Sequence, residues 1–207
     1  MTIIHELQDP FPHLIIENMY DNQELELIWE ELNFLNKPNK LSEPKDYGAL
    51  HLHTKSRGII LDSAYRDRNI SNILNVNRKT FDYTETYAQL NPHYIKFKTS
   101  NKDITKLRYY HDGESYDPHI DANFDTLACT YFNKEPKRFS GGELYFPDYQ
   151  YQVPCDNNLC VIFPAYFSHG VREIKISDDD YFAGYGRYCM SQFAHTVEQS
   201  KDKSKSS

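Results

Sequence analysis

The stretch of sequence that most constrains the fold reads Tyr110-His111-Asp112-Gly113-Glu114-Ser115-Tyr116-Asp117-Pro118-His119-Ile120-Asp121. Alternate residues of a strand point to the same face, so His119 and Asp121 are predicted to enter one cavity together. Gly113 permits a turn conformation that is closed to most other residues. Such a turn would let Tyr110 and His119 face the same cavity from adjacent segments. The pattern therefore predicts a polar site on a β framework.

A third ligand candidate follows a fully apolar run, Leu159 to Pro164, of the kind expected for a buried strand. After a short turn, His169 begins another strand, and Gly186-Arg187-Tyr188 begins the last one. Non-heme Fe(II) oxygenases bind their metal through two imidazoles and one carboxylate on one side, and leave the other positions open. His119, His169 and Asp121 would supply that ligand set. The residues therefore predict an Fe(II) site.

The second half of the chain is predicted to be rich in strands. Short runs of β-branched and aromatic residues alternate with turn residues, which is typical of a sandwich or barrel. An earlier segment, Pro10–Ile16, also reads as extended. The predicted strands are Tyr94–Lys98, Lys106–His111, Thr126–Asn133, Gly142–Pro147, Leu159–Phe163, Val171–Ile176 and Tyr188–His195.

The first half predicts helices. Asp21 and Glu24 have the spacing of a capping box, and apolar residues then recur at helical intervals until Pro38. A second helix is predicted around Ile70 to Leu74, and a continuation or third helix around Tyr83 to Leu90. Helices followed by strands indicate the α+β fold class, with helices packed on one face of a β core.

The length of the chain and the change in its composition along the sequence predict one domain. Residues 1–197 form it, with a helical flank and loops over 1–92 and the β core over 93–197. Residues 36–57 are predicted to be an irregular loop, and the Lys/Ser-rich residues 198–207 a disordered tail.

Composition excludes several classes of protein. Charged residues are 26% and aromatic residues 14% of the 207, as in a folded globular protein. The net charge of −7 disfavours general binding to nucleic acid, because a phosphate backbone would be repelled. No apolar run has the length of a membrane span and the N-terminus lacks a secretion signal, so we expect a soluble cytoplasmic protein. Of the four cysteines, Cys129 and Cys189 are expected to be buried, whereas Cys155 and Cys160 flank a turn and could bridge.

Together these motifs resemble those of the 2-oxoglutarate and Fe(II)-dependent dioxygenases, and within them the prolyl 4-hydroxylase-like branch. The resemblance is strong over residues 94–197 and weak over the helical part. It implies a double-stranded β-helix, a squashed jelly-roll barrel, with iron at its open mouth. It also implies that His119, Asp121 and His169 bind iron, and that Arg187 pairs with the distal carboxylate of 2-oxoglutarate.

This resemblance assigns two further residues to the co-substrate pocket, and the turn at Gly113 adds Tyr110. Tyr131 and Ser191 match positions where a hydroxyl group supports the same carboxylate, and Tyr110 faces the cavity. Arg187 and Ser191 share one face of the final strand by its period of two. The planar fork of an arginine suits a carboxylate because it donates two parallel hydrogen bonds.

The chain departs from compact family members in one respect. The connection from His169 to the basic anchor is lengthened by residues 177–184, which include Asp178-Asp179-Asp180 and are expected to form an exposed loop. Arg172 and Lys175 are therefore rivals for the anchor. Arg187 is preferred because it begins a strand, whereas Arg172 is expected on the face opposite to His169.

The resemblance implies hydroxylation of a C–H bond, with 2-oxoglutarate and O2 consumed, succinate and CO2 released, and ascorbate as a candidate additional cofactor. The family branch implies a prolyl residue in a peptide or protein as substrate. A free amino acid or another small molecule remains an alternative, as does a non-catalytic metal-binding jelly-roll module. A nucleic-acid demethylase is disfavoured, because such enzymes carry a second arginine six residues after the anchor, where this chain has Phe193.

Other polar residues near these motifs have plainer interpretations. His51 and His53 have strand spacing for a metal but lie in a polar loop without a carboxylate partner. Asp112 is a rival to Asp121 but lacks the alternate-residue relation to a histidine, so a role in the turn is favoured. Leu144 is expected in the core, although it could line the co-substrate cavity.

Overall fold

Two antiparallel sheets form the β core in the computed structural model, which describes residues 1–43, 56–88 and 95–197. The strands of the larger sheet are β1 (Ile3–Leu7), β2 (His13–Glu17), β3 (Arg57–Ile60), β4 (Lys102–Tyr110), β6 (Thr126–Phe132), β9 (Leu159–Pro164) and β11 (Arg187–His195). Those of the smaller sheet are β5 (Tyr116–His119), β7 (Leu144–Phe146), β8 (Tyr151–Val153) and β10 (His169–Val171). The spatial orders are β1-β2-β9-β6-β11-β4-β3 and β5-β10-β7-β8.

Strand β11 lies between β6 and β4 inside the larger sheet and fixes the register of the site. It pairs with β4 from Arg187 opposite Tyr110 to His195 opposite Lys102, and on its other side with β6. Nearly all residues of β6 and β11 are buried, so both faces of the sheet are covered here. Arg187, Cys189 and Ser191 consequently share the face that looks toward the smaller sheet.

The helices are α1 (Asn22–Leu35), α2 (Leu61–Ala64), α3 (Asn72–Val76), α4 (Lys79–Ala88), α5 (Ile95–Thr99) and α6 (Asp178–Phe182). The predicted capping box is present at α1. The Asp21 carboxylate accepts from the Glu24 amide at 2.9 Å, and the Glu24 carboxylate accepts from the Asp21 amide at 2.8 Å. The apolar stripe of α1 is buried, and the Trp29 ring lies edge-on to that of Tyr188 with centroids 5.7 Å apart.

Polar side chains fasten the helical layer to the outer face of β4 and β11. Asn77 donates to Thr105 Oγ1 at 2.7 Å, and Thr80 donates to Gln192 Oε1 at 2.6 Å. Gln192 in turn donates to Asp103 Oδ2 at 3.0 Å. These buried polar groups are each other's hydrogen-bond partners, so the outer face of the sheet can bury them at little cost. The functional site lies on the inner face.

A buried carboxylate joins α1 to α3, and its loss should destabilise the protein. Glu31 accepts from Ser71 Oγ at 2.9 Å and from the Ile73 amide at 2.8 Å. Glu31→Gln removes the charge from both hydrogen bonds, and we expect the free energy of unfolding in urea to fall by about 1–3 kcal/mol. Glu26→Gln, on the exposed face of the same helix, should change it by less than about 0.5 kcal/mol. Equal effects of the two substitutions would contradict this assignment.

The N-terminal region contributes more to the sheet than the prediction of a helical flank allowed. Strands β1, β2 and β3 all lie within the first 92 residues, and β2 pairs directly with β9. Only β2 was anticipated, as the extended segment Pro10–Ile16. The pairing joins residues about 145 positions apart, such as Ile16 and Cys160, and no local pattern reveals it.

Three local predictions were wrong. Residues 95–98 were predicted as part of a strand but form helix α5, whose end is closed by the Thr99 and Ser100 hydroxyls donating to the Lys96 carbonyl. The strand predicted over Val171–Ile176 ends at Val171, and only a single bridge, Ser140 to Lys175, continues it. The predicted acidic loop is the first turn of α6, where negative charge beside free amides is favourable.

Some predictions fall outside the described residues. These are the His51/His53 pair, most of the loop predicted over 36–57, the end of the third helix and the tail at 198–207. Among the described helices none is long and apolar enough to cross a bilayer. All four cysteines are free thiols, so Cys155 and Cys160 do not bridge.

Candidate metal centre

Strand pairing brings the three predicted metal ligands together. In the smaller sheet, β5 and β10 are neighbours with His119 directly opposite His169. Asp121 lies two residues beyond His119, and its amide donates to the Ala165 carbonyl at 3.0 Å, just after β9. His169 Nε2 is 3.4 Å and His119 Nε2 is 3.8 Å from Asp121 Oδ2, and one ligand atom from each residue lies within 4.8 Å of the others. The arrangement is a three-residue cluster of ligating atoms.

The backbone sets the tautomer of both imidazoles. His119 Nδ1 lies 2.9 Å from the Asp117 carbonyl, and His169 Nδ1 lies 2.9 Å from the Phe167 carbonyl. A carbonyl oxygen only accepts hydrogen bonds, so each Nδ1 must carry the proton. The lone pair is then on Nε2, the nitrogen that faces Asp121. This is the tautomer in which a histidine binds a metal.

The charges of the cluster also suit a metal. Burial and the neighbouring His169 lower the pKa of His119 to about 4, so that imidazole is neutral near pH 7. Burial alone would raise the pKa of Asp121, but the adjacent His169 and His119 outweigh it and hold that pKa below its ordinary value. A neutral imidazole at His119 and an ionised carboxylate at Asp121 are the protonation states that coordination requires of these two residues.

A fully buried cation stands at the inner end of the same cavity. The guanidinium of Arg187 lies over the rings of Tyr110 and Tyr131, with its carbon 4.6 and 4.8 Å from the ring centroids. Its Nε donates to Cys155 Sγ at 3.2 Å, whereas Nη1 and Nη2 are buried and have no hydrogen-bond partner. A buried donor without a hydrogen-bond partner destabilises the protein, and the cost is larger when the donor belongs to a charged group. Two parallel donors from one guanidinium match a carboxylate.

Two hydroxyl groups extend this anion-binding end. The Tyr131 hydroxyl is buried and has no hydrogen-bond partner. Ser191 Oγ contacts the thiols of Cys129 and Cys189 at 3.8 and 3.6 Å. The unsatisfied Tyr131 and Arg187 groups therefore fit a ligand that carries a carboxylate, in the cavity that the three metal-ligand candidates also line.

Every residue predicted for the site from the sequence lines this one cavity: His119, Asp121, His169, Arg187, Tyr110, Tyr131 and Ser191. Leu144 is both a core residue and part of the lining. The cavity has a volume of about 30 Å³.

Two polar residues of the site were missed by the sequence reasoning. Arg108 is buried on the inner face of β4 with its guanidinium 4.6 Å from the centroid of the Tyr116 ring. Its place two residues before Tyr110 could have revealed it, since both share one strand face. Cys155 contacts Arg187 from the segment between β8 and β9, and no sequence signal marks that contact.

The rivals for these roles lie elsewhere. Arg172 is exposed and stacks on the ring of Tyr145, with 3.9 Å between the guanidinium carbon and the ring centroid. Lys175 is exposed and pairs with Glu173. Asp112 accepts from the Ile176 amide at 3.0 Å and so holds a turn. None of these three side chains lines the cavity among the described residues.

Comparison with known proteins agrees with this geometry. Residues 105–195 match the family model described as the 2OG-Fe(II) oxygenase superfamily. A prolyl-4-hydroxylase from Pseudomonas putida aligns at 14% identity over 90% of this chain and 93% of its own, with a TM-score of 0.58. A 2OG-Fe(II) oxygenase family oxidoreductase from Burkholderia pseudomallei aligns at 13% identity over 88% and 84%, with a TM-score of 0.59. A non-heme alpha-ketoglutarate-dependent epimerase from nogalamycin biosynthesis aligns at 12% identity over 89% and 78%, with a TM-score of 0.57.

A search among curated proteins found none that matches the sequence. At these identities the structural matches establish a shared fold, a jelly-roll core with helices.

Proposed function

We propose that this protein is a 2OG-Fe(II) oxygenase, the superfamily whose model matches residues 105–195, and that it hydroxylates a prolyl residue in a peptide or protein, releasing succinate and CO2. The family implies an oxidoreductase that uses Fe(II), 2-oxoglutarate and O2. One observation carries the proposal: a cluster of two histidines and an aspartate shares a cavity with a buried arginine whose two terminal nitrogens have no partner.

In this proposal His119 and His169 hold the iron through Nε2 and Asp121 holds it through a carboxylate oxygen. When bound, Fe(II) supplies the reduction of O2 that is coupled to oxidation of 2-oxoglutarate and hydroxylation of the substrate. The protein supplies the ligand geometry and the orientation of the co-substrate. Because the carbonyls of Asp117 and Phe167 fix both rings, little ordering is needed when the metal binds.

Arg187 binds the distal carboxylate of 2-oxoglutarate in this proposal, supported by the Tyr131 and Ser191 hydroxyls and the ring of Tyr110. The interaction is strong because the guanidinium is already desolvated and positioned between two rings. The carboxylate in turn satisfies the two buried donors of Arg187, so its binding relieves an existing cost.

The proposed peptide substrate rests on similarity and on the mouth of the site. The Pseudomonas putida structure that shares the fold is a prolyl-4-hydroxylase. Ile120 lies between His119 and Asp121 in the chain and is 54% exposed, and Tyr166, three residues before His169, is 48% exposed. These side chains offer apolar contacts to an extended chain. Since an epimerase also shares the fold, the substrate and the reaction outcome need a direct test.

The test is an assay of purified protein with Fe(II), 2-oxoglutarate and ascorbate, in which ascorbate is proposed to sustain turnover. Succinate release should rise when proline-containing peptides are added, and mass spectrometry should find a gain of one oxygen on proline. Stimulation by free L-proline but not by peptides would move the proposal to an amino-acid hydroxylase. A wild-type protein that binds Fe(II) but never binds 2-oxoglutarate would contradict the proposed function.

A glycine beside Arg187 gives a further prediction. Gly142 has φ of +80°, and a Cβ built on it would lie 2.7 Å from Arg187 Cδ and 3.1 Å from Nε. Gly142→Ala should therefore displace the guanidinium and raise the KM for 2-oxoglutarate about ten-fold or more, the effect of weakening a charged hydrogen bond.

Gly113→Ala is the matched control. Gly113 also has a positive φ, +71°, but a Cβ there meets no atom within 4 Å. It should share the backbone strain of Gly142→Ala, about 1 kcal/mol, and the loss of thermal stability that follows. Its KM for 2-oxoglutarate should stay near that of wild type. Equal KM values for the two variants would contradict this placement of Arg187.

A further inference from the structure

We infer that Cys155 is a positioning residue, whose thiol holds the guanidinium of Arg187 so that its two terminal nitrogens face the co-substrate. The inference rests on the proposed function, since the co-substrate is taken to be 2-oxoglutarate. It concerns a residue that contacts Arg187 without itself lining the cavity. Cys155 lies between β8 and β9 and is 2% exposed.

The hydrogen bonds of the Arg187 guanidinium decide which of its edges is available to a ligand. Its planar fork can meet a carboxylate along either of two edges, one that includes Nε and one formed by Nη1 and Nη2. Cys155 Sγ accepts the Nε proton at 3.2 Å, so the side edge is engaged. The end edge, with two buried donors lacking partners, is the one left for the ligand.

The other contacts of Arg187 leave one rotation of its guanidinium unrestrained. The rings of Tyr110 and Tyr131 lie against the guanidinium and restrict the tilt of its plane. The absent Cβ of Gly142 leaves space beside Arg187 Cδ. Neither contact fixes rotation of the group within its own plane, because ring faces offer no directional acceptor there. The hydrogen bond to Cys155 supplies that restraint.

The Cys155 thiol accepts the hydrogen bond of Arg187 without carrying a charge. Burial raises the pKa of the Cys155 thiol in spite of the nearby Arg187, so the group is a neutral acceptor near pH 7. A carboxylate in its place would neutralise Arg187 and repel an incoming dianion. A thiol orients the cation without neutralising it. The Cys155 backbone is itself held, because Lys137 Nζ donates to its carbonyl at 2.7 Å.

The experiment compares Cys155→Ala, Cys155→Ser and Cys160→Ala with wild type. Cys160 is also a fully buried thiol, but it lies on β9, and among the described residues it makes no hydrogen bond to Arg187. Isothermal titration calorimetry measures the binding of Mn(II), and then of 2-oxoglutarate to the Mn(II)-loaded protein. Succinate release gives kcat and KM, and thermal melts report the stability of each variant.

For Cys155→Ala we expect the Kd and KM for 2-oxoglutarate to rise about ten-fold or more, which corresponds to losing a hydrogen bond to a charged group. The Mn(II) affinity should remain unchanged, which separates positioning from general unfolding. Cys155→Ser retains a neutral acceptor and should recover most of the affinity, and Cys160→Ala should bind 2-oxoglutarate as wild type does.

Wild-type affinity in Cys155→Ala would overturn the inference and leave the proposed function standing. Parallel losses of Mn(II) and 2-oxoglutarate binding in Cys155→Ala, without rescue in Cys155→Ser, would also overturn it in favour of a structural role. No binding of 2-oxoglutarate by Mn(II)-loaded wild type would overturn the proposed function, and this inference with it.

Discussion

His169→Ala should abolish both metal binding and release of succinate. The substitution removes one of three converging ligands and leaves His119 and Asp121, which alone do not enclose a metal ion. The affinity for Fe(II) or Mn(II), measured by calorimetry, should fall by more than the roughly 10–100-fold that follows loss of a residue merely supporting a ligand. Succinate release should drop to the background seen without protein.

The matched control is His13→Ala, which also deletes a buried imidazole. His13 bonds to the Phe11 carbonyl at 2.8 Å and to the Tyr151 hydroxyl at 3.0 Å, and it does not line the cavity. Its loss should lower the melting temperature without a matching loss of metal affinity. If His169→Ala bound metal as tightly as His13→Ala does, the proposed ligand set would be wrong.

Arg187→Met should remove binding of 2-oxoglutarate while leaving the metal site able to bind Mn(II). Methionine keeps an unbranched apolar stem between the rings of Tyr110 and Tyr131 but offers no donor. Truncating one partner of a buried charged pair costs about 2–5 kcal/mol, which predicts a rise in Kd of roughly 30-fold to several-thousand-fold. Calorimetry on the Mn(II)-loaded protein measures it.

Arg172→Met is the control for this experiment and tests the rival anchor at the same time. Arg172 is exposed and stacked on Tyr145, so its replacement should change the Kd for 2-oxoglutarate by less than about three-fold. A large loss in Arg172→Met together with wild-type binding in Arg187→Met would transfer the anchoring role to Arg172. The placement of the two side chains predicts the opposite result.

The placement of these residues in one cavity could be predicted because they are related by the two-residue period of strands. His119 with Asp121, and Arg187 with Ser191, needed only that period and the expectation of antiparallel pairing. The order of these motifs along the chain predicted a resemblance to prolyl-4-hydroxylase-like 2OG-Fe(II) oxygenases. Residues 105–195 match the model of that superfamily, and a prolyl-4-hydroxylase structure shares the fold. The α+β class with a jelly-roll core is confirmed.

The wrong predictions depended on long-range contacts or on single groups. Aromatic and β-branched composition favoured a strand at 95–98, but hydroxyl groups at Thr99 and Ser100 close a helix there. Strand β3 was missed because its pairing partner, β4, lies more than 40 residues away. The contact of Cys155 with Arg187 depends on a turn between short strands, which no periodicity encodes.

The position of the one tryptophan in the chain has a practical consequence for ligand measurements. Trp29 meets the ring of Tyr188 edge-on, and Tyr188 is the residue next to Arg187 in β11. A shift of that strand as the cavity fills would alter the surroundings of the indole. Intrinsic fluorescence, excited selectively at the indole, therefore offers an unlabelled optical signal for titrating co-substrate analogues.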